Sequence, residues 1–192
     1  VESWWEVIFN PSFPYRLAHM FNASLLTAAF LIMGVSAWRA MRGVDGPATW
    51  KVMRTGALMA AVLAPLQVWI GDLHGLNTLE HQPAKIAAME GIWETEKGAP
   101  LTLFGFPDEE AKTTHMAIKV PNLASLVLTH EWDGEVPGLN EVAVDEQPPV
   151  AIVFWSFRVM VGLGFLIFFG TFLFVFLGSS KFFILGACIV FN

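Results

Sequence analysis

The chain has 192 residues, 55% of them hydrophobic and 14% aromatic, with a formal net charge of −6 and a mean hydropathy of +0.55. Soluble domains hold roughly 45–50% apolar residues, so the excess points to membrane, and the lack of a basic surface excludes a nucleic-acid binder. One cysteine, Cys188, excludes an intrachain disulfide framework.

Charge divides the chain. Residues 74–148 carry thirteen Asp/Glu against four Lys, a net of −9, and the rest carries seven Lys/Arg against four Asp/Glu, a net of +3. In chain order, residues 1–13 place Trp4, Trp5 and Phe9 beside Glu2 and Glu6, the make-up of an interfacial lead-in on the outer face. Pro14 to Trp38 is the first span, with Arg16 and His19 in its first turns and Ala18, Ala23, Ser24, Ala28 and Ala29 offering small side chains for close approach. Gly43 and Gly46-Pro47 make a turn whose Arg39, Arg42, Lys51 and Arg54 place it in the cytoplasm. Trp50 to Ile70 is the second span, ending at Gly71-Asp72-Leu73-His74-Gly75. Both spans, within residues 14–73, meet the roughly 20 residues a bilayer core requires.

The acidic segment 74–148 then lies on the opposite, periplasmic face. Gln82 to Lys97 reads as a helix with Pro83 near its start and Gly98 after its end. Ile86, Met89, Ile92 and Trp93 form its apolar stripe, bordered by Lys85 and Glu90. Two readings stand: a helix on the membrane surface offering a cation and a carboxylate to a lipid-soluble molecule, or an ordinary solvated amphipathic helix, which periodicity alone favours. Leu101–Phe104 and Met116–Val120 flank a turn and predict a hairpin, and Val136 to Val142 predicts a turn into a short helix. Residues 149–192 hold a third span, Pro149 to Gly178, with Arg158 as its one charge, and then Phe182 to Phe191, an apolar run too short to cross and read as the start of a further, truncated helix. A chain beginning at Val1 reads as an internal piece of a longer polytopic protein.

His19 and Met160 carry the sharpest chemistry. An ionisable side chain in hydrocarbon is costly and a functional candidate by default, and His plus Met is a known axial pair for haem iron. At 1.5 Å per residue His19 lies about 8 Å below Pro14 and Met160 about 17 Å below Pro149; a third helix starting outside the hydrocarbon puts the two at similar depth. The blander readings are a histidine bonded to a backbone carbonyl or lining a polar cavity, and a methionine filling an apolar helix. Arg158, two residues from Met160, needs an anionic partner, and haem propionates would supply one. Asp72 reads as a helix-end residue, with proton transfer as its alternative; His74, His81, His115 and His130 sit in polar surroundings that suit surface roles. No Walker loop, dinucleotide glycine pattern or zinc spacing is present. Besides an electron-transfer enzyme, two classes remain: a transporter fragment with His19, Arg158 and Asp72 lining a polar path, and a haem-binding electron carrier with no substrate site of its own.

Four strings in order, Tyr15-Arg-Leu-Ala-His-Met-Phe21, Gly71-Asp-Leu-His-Gly75, Lys85-Ile-Ala-Ala-Met-Glu-Gly-Ile-Trp-Glu-Thr95 and Phe157-Arg-Val-Met-Val-Gly162, resemble the middle of subunit I of cytochrome bd-type quinol oxidases, in wording nearest the cyanide-insensitive branch. The resemblance implies an all-α polytopic membrane protein, a transmembrane helix bundle with a periplasmic quinol loop, in the bacterial cytoplasmic membrane. It implies that His19 and Met160 hold a low-spin haem b, with Arg158 beside it, and that Lys85 and Glu90 serve quinol oxidation. It implies quinol as substrate, subunit II and the remainder of subunit I as partners, and a high-spin haem b and a haem d, or a second haem b in its place, held largely by helices outside this segment.

Overall fold

The computed structural model describes residues 3–177, with side chains described as far as Leu173; the apolar run 182–191 lies outside the described residues. Among the described residues, three helices are long and apolar enough to cross a membrane: α2, Phe13–Met41, α3, Pro47–His81, and α6, Val150–Leu177. A short α1, Trp4–Ile8, precedes them. Trp5 stacks on Phe9 at 5.2 Å, and Phe9 meets Phe13 edge-on at 5.0 Å.

α3 corrects the expected end of the second span. Gly71 to Gly75 was expected to break the helix, yet α3 runs on to His81. A Cβ added at Gly75 would meet nothing within 4 Å, and no neighbour or left-handed φ demands a turn there. Glycine inside a helix costs about 1 kcal/mol relative to alanine, too little to stop a helix held elsewhere. Asp72 is therefore an internal helical residue rather than a helix end.

The chain divides into two compact units. One holds Arg16–Ile70 with the described residues from Gly164 onward. Its core is Leu26, Ala29 and Met33 of α2 against Ala57, Ala60 and Ala64 of α3, flanked by Ile167 and Phe168 of α6. With lipid tails as apolar as leucine, small residues gain contact by letting backbones approach. Gly56 is that point: an added Cβ would lie 2.8 Å from the Ala29 carbonyl oxygen. Of the small residues expected to line α2, only Ala29 is buried.

The other unit holds the described residues up to Tyr15 with Gly71–Leu163. Here α4, Pro83–Glu90, is followed by β1, Glu96–Lys97, the hairpin strands β2, Leu101–Asp108, and β3, Thr113–Val120, then α5, Leu123–Thr129, and β4, Glu135–Val136. Sheet pairing is antiparallel and in twos, β1 with β4 and β2 with β3. The hairpin appears where the sequence predicts it, with longer strands and irregular register around Phe104.

The expected helix Gln82–Lys97 stops at Glu90, because Gly91 adopts φ +67° and caps it in the left-handed region. Ile92 and Trp93 then leave the helix and pair their carbonyls with the Leu139 and Asn140 amides at 3.1 and 2.9 Å. The C-terminal half of α4 is thereby buried within its unit, while Pro83 and Lys85 stay exposed. Ile86 packs with Ala99, Ala124, Leu128 and Val136, while Ala87 and Ala88 pack with Trp93, Leu139 and Val150. Ile86, Ala87, Ala88 and Glu90 are its buried residues.

Candidate functional site

Burying α4 buries Glu90, which is 3% exposed. An isolated buried carboxylate is costly, so it needs a partner. That partner is Arg158, whose Nη2 lies 3.2 Å from Glu90 Oε2. The guanidinium also donates to the Met89 carbonyl and, through Nε at 3.1 Å and through Nη2, to the Thr102 carbonyl. Its carbon sits 3.5 Å from the centre of the Phe154 ring, four residues earlier on α6. One arginine thus ties α4, β2 and α6 at a single point. Burial pushes the Glu90 carboxyl above the ordinary glutamate range, while the charge and hydrogen bond of Arg158 pull it back.

The hairpin is fastened along the same face of α6. Glu109 Oε1 accepts from the Ala151 amide at 3.2 Å, satisfying an otherwise orphaned helix N-terminal donor. Phe104 and Phe106 pack on Trp155 at 5.2 and 5.8 Å. Ala151, Trp155 and Arg158 are spaced i, i+4, i+7, one helical stripe. At the hairpin tip, Asp108 accepts from the Ala111 and Glu110 amides and meets His115 at 3.4 Å; the Ala111 bond leads in holding its carboxyl below the ordinary range.

Lys85 does not join this cluster. It is exposed on α4 and, among the described residues, makes no ion pair. Asp72 is engaged instead by His130, Oδ2 to Nε2 at 3.3 Å, linking α3 to the end of α5.

His19 belongs to the other unit. Its Nε2 lies 2.9 Å from Gln67 Nε2 on α3, and Gln67 Nε2 also approaches the His19 carbonyl at 3.4 Å. Asn22 Nδ2 donates to Gln67 Oε1 at 2.7 Å and to the Leu63 carbonyl at 3.0 Å. Asn22 and Gln67 were missed by the sequence reading, although an amide three residues after His19 and another in an otherwise apolar span are the available signal. Met160, 53% exposed on α6, falls in the unit of Glu90 and Arg158. An imidazole and a thioether are the two side-chain types that can ligate a low-spin haem iron; in this structure the His19 Nε2 is engaged by the Gln67 amide. Among the described residues no group of three or more His, Cys, Asp or Glu forms a separate metal cluster.

The comparisons with known proteins agree on one family. The family model described as cytochrome bd terminal oxidase subunit I matches residues 1–191. Cytochrome bd-II ubiquinol oxidase subunit 1 of Escherichia coli is 32% identical over 146 residues, covering 74% of this chain and 28% of that protein. Cytochrome bd ubiquinol oxidase subunit 1 of Bacillus subtilis is 32% identical over 170 residues, covering 82% of this chain and 36% of that protein. The solved bd oxidase of Geobacillus thermodenitrificans superposes with a TM-score of 0.82 at 31% identity, over 92% of this chain and 40% of that one. The chain therefore spans between 28% and 40% of the length of these relatives.

Proposed function

This chain belongs to the cytochrome bd terminal oxidase subunit I family, and from that premise we propose that it is the segment that takes electrons from membrane quinol. The parent protein is then a quinol:oxygen oxidoreductase of the bacterial cytoplasmic membrane. Residues 74–148 form its periplasmic quinol loop, and subunit II and the rest of subunit I are its partners. The observation that carries the reading is the buried Glu90 paired with Arg158.

Oxidising a quinol removes two electrons and two protons, so the site needs a base at a ring hydroxyl. A carboxylate whose proton affinity is raised by burial is a better base near neutral pH than an exposed one. Glu90 takes that part. Arg158 holds its carboxylate in place and limits how far burial raises it. Lys85, exposed one turn earlier on α4, offers a donor to a ring oxygen. His19 and Met160 are the residues that would hold a low-spin haem b, which when bound supplies a one-electron acceptor. Oxygen is reduced at a high-spin haem b and a haem d, or a second haem b in its place, bound outside this segment. In the transporter alternative His19, Arg158 and Asp72 line a polar path; in the structure Asp72 meets His130 and Arg158 meets Glu90.

In the full oxidase, Glu90→Gln keeps shape and a hydrogen bond to Arg158 but cannot accept a proton. Steady-state quinol turnover is expected to fall about a hundredfold, the low end of general-base contributions. Unchanged turnover across pH overturns the assignment of Glu90 as base.

A further inference from the structure

We propose that the β2–β3 hairpin is a membrane-surface anchor, seating Leu103, Phe104, Phe106, Met116 and Ile118 among lipid headgroups beside α6. All five are exposed, Met116 at 80% and Ile118 at 60%, whereas an antiparallel sheet beside water ordinarily shows polar residues on its outer face. Met116 is turned outward by the backbone itself. The register shifts between the Phe104–Ile118 and Phe106–His115 pairs, and within that irregularity Met116 adopts φ +49°. The left-handed region is strained for a methionine, and a bulge of this kind re-aims a side chain. The strain exposes a large apolar group instead of burying it, which suits an apolar surrounding rather than water.

Depth along α6 identifies lipid as the occupant. β2 runs antiparallel to the start of α6: Glu109 reaches the Ala151 amide, Phe106 and Phe104 pack on Trp155, and the Thr102 carbonyl meets Arg158. Ala151 to Arg158 is about 10 Å of helix, so the base of the hairpin lies that much deeper than its tip. Beyond Arg158, Val159 to Leu177 is an uncharged run of 19 residues, with Ser179, Ser180 and Lys181 following in the sequence. Those 19 residues give about 28 Å of helix, which fills a hydrocarbon core of about 30 Å. The hydrocarbon boundary on the loop side then falls at Arg158. Outside it lies a headgroup layer roughly 5–7 Å deep. Trp155 is about 4.5 Å above Arg158, so the ring and the apolar patch packed on it share that layer, and the charged tip, Asp108 to Lys112, stands in water. Ile152 and Val159 are exposed within about 60° of Trp155 around the helix, so the patch continues an apolar surface of a membrane-spanning helix. The outer edges of a two-stranded sheet carry backbone groups that hydrocarbon cannot satisfy, which holds the hairpin at headgroup level. Lys119, exposed and paired with Thr102 across the strands, brings a cation toward lipid phosphate. Arg158 holds both the Thr102 carbonyl and Glu90, so an anchored hairpin fixes Glu90 at the depth where a lipid-soluble quinol arrives sideways. That consequence, unlike the anchor, rests on the reading of Glu90 as the quinol base.

The test uses the full oxidase, otherwise free of cysteine, in vesicles of phosphatidylethanolamine and phosphatidylglycerol. Met116→Cys, Ile118→Cys and, as the aqueous reference at the tip, Lys112→Cys each carry one spin label; all three positions are exposed, so the label displaces no core residue. Relaxation by oxygen, which concentrates in lipid, is compared with relaxation by a water-soluble nickel chelate. The oxygen-to-nickel ratio is expected to be severalfold higher at Met116 and at Ile118 than at Lys112. A ratio at either patch position no higher than at Lys112 puts the hairpin face in water and overturns the anchor. Low access to both reagents puts that face against another part of the oxidase, a protein contact, and overturns it as well. Neither reagent reads quinol turnover, so Glu90 can fail as the base while the anchor stands, and the anchor can fail while Glu90 remains the base.

Discussion

Arg158 and Glu90 show how a charged pair is made tolerable in an apolar setting. Their side chains are 12% and 5% exposed, so neither charge is stable without the other. Breaking a buried pair from one side costs about 3–5 kcal/mol because the remaining charge is stranded. Arg158→Leu strands Glu90 and also leaves the Met89 and Thr102 carbonyls without this donor. Thermal unfolding of the full complex should therefore show a large loss in Arg158→Leu, partly restored by adding Glu90→Gln, with a non-additive cycle between them. The pH dependence has a definite sign. Burial raises the Glu90 carboxyl in the folded state, so the fold binds this proton more tightly than the unfolded chain does. That stabilisation is fully present below the ordinary glutamate pKa and is lost as pH rises through the folded value. Glu90→Gln should flatten this part of the stability–pH curve.

The decisive element is α4, only eight residues long. Its length is set by Gly91, whose positive φ ends the helix and turns Ile92 and Trp93 into the core. A Cβ at Gly91 would lie 3.1 Å from both Phe154 Cε2 and Thr114 Oγ1. Thr114 is itself committed, donating to the Gly91 carbonyl at 3.1 Å while accepting from Trp93 Nε1 at 3.1 Å. Gly91→Ala combines a crowded contact with a left-handed backbone that costs an L-residue about 1–2 kcal/mol. Calorimetry of the assembled protein should show destabilisation of at least that order. Quinol turnover should fall with it, because Glu90 is the residue immediately before the turn. The glycine was visible in the sequence, but the apolar stripe of Ile86, Met89, Ile92 and Trp93 carried the helical pattern straight through it. The stripe was real as a set of buried and, at Met89, partly buried residues and wrong as a single helix, since Ile92 and Trp93 reach the core after the backbone has changed direction.

At the scale of the molecule, charge asymmetry argues the orientation. The turn between α2 and α3 is basic and the segment between α3 and α6 is acidic, so the positive-inside rule directs the first to the cytoplasm and the second outward. Single cysteines in a Cys188→Ser background test this with a membrane-impermeant thiol reagent. A cysteine at Lys112, on the hairpin tip, should label from the outer face, and one at Asp45 only from the inner face; the reverse pattern would invert the topology and move the loop to the other compartment.

Composition and span length alone determined that this is a membrane chain with three long apolar helices, because lipid demands some twenty consecutive apolar residues and such runs are local. Alternation and turn residues located the hairpin for the same reason. Tertiary structure alone decided where α3 ends, that Lys85 faces outward while Glu90 is buried, that Asp72 meets His130, and that Asn22 and Gln67 stand beside His19. Glu90 and Arg158 are 68 residues apart, and Gln67 and His19 are 48 apart. No local pattern encodes such pairs. They form because a buried polar group must find whatever partner the packing of distant helices brings within reach.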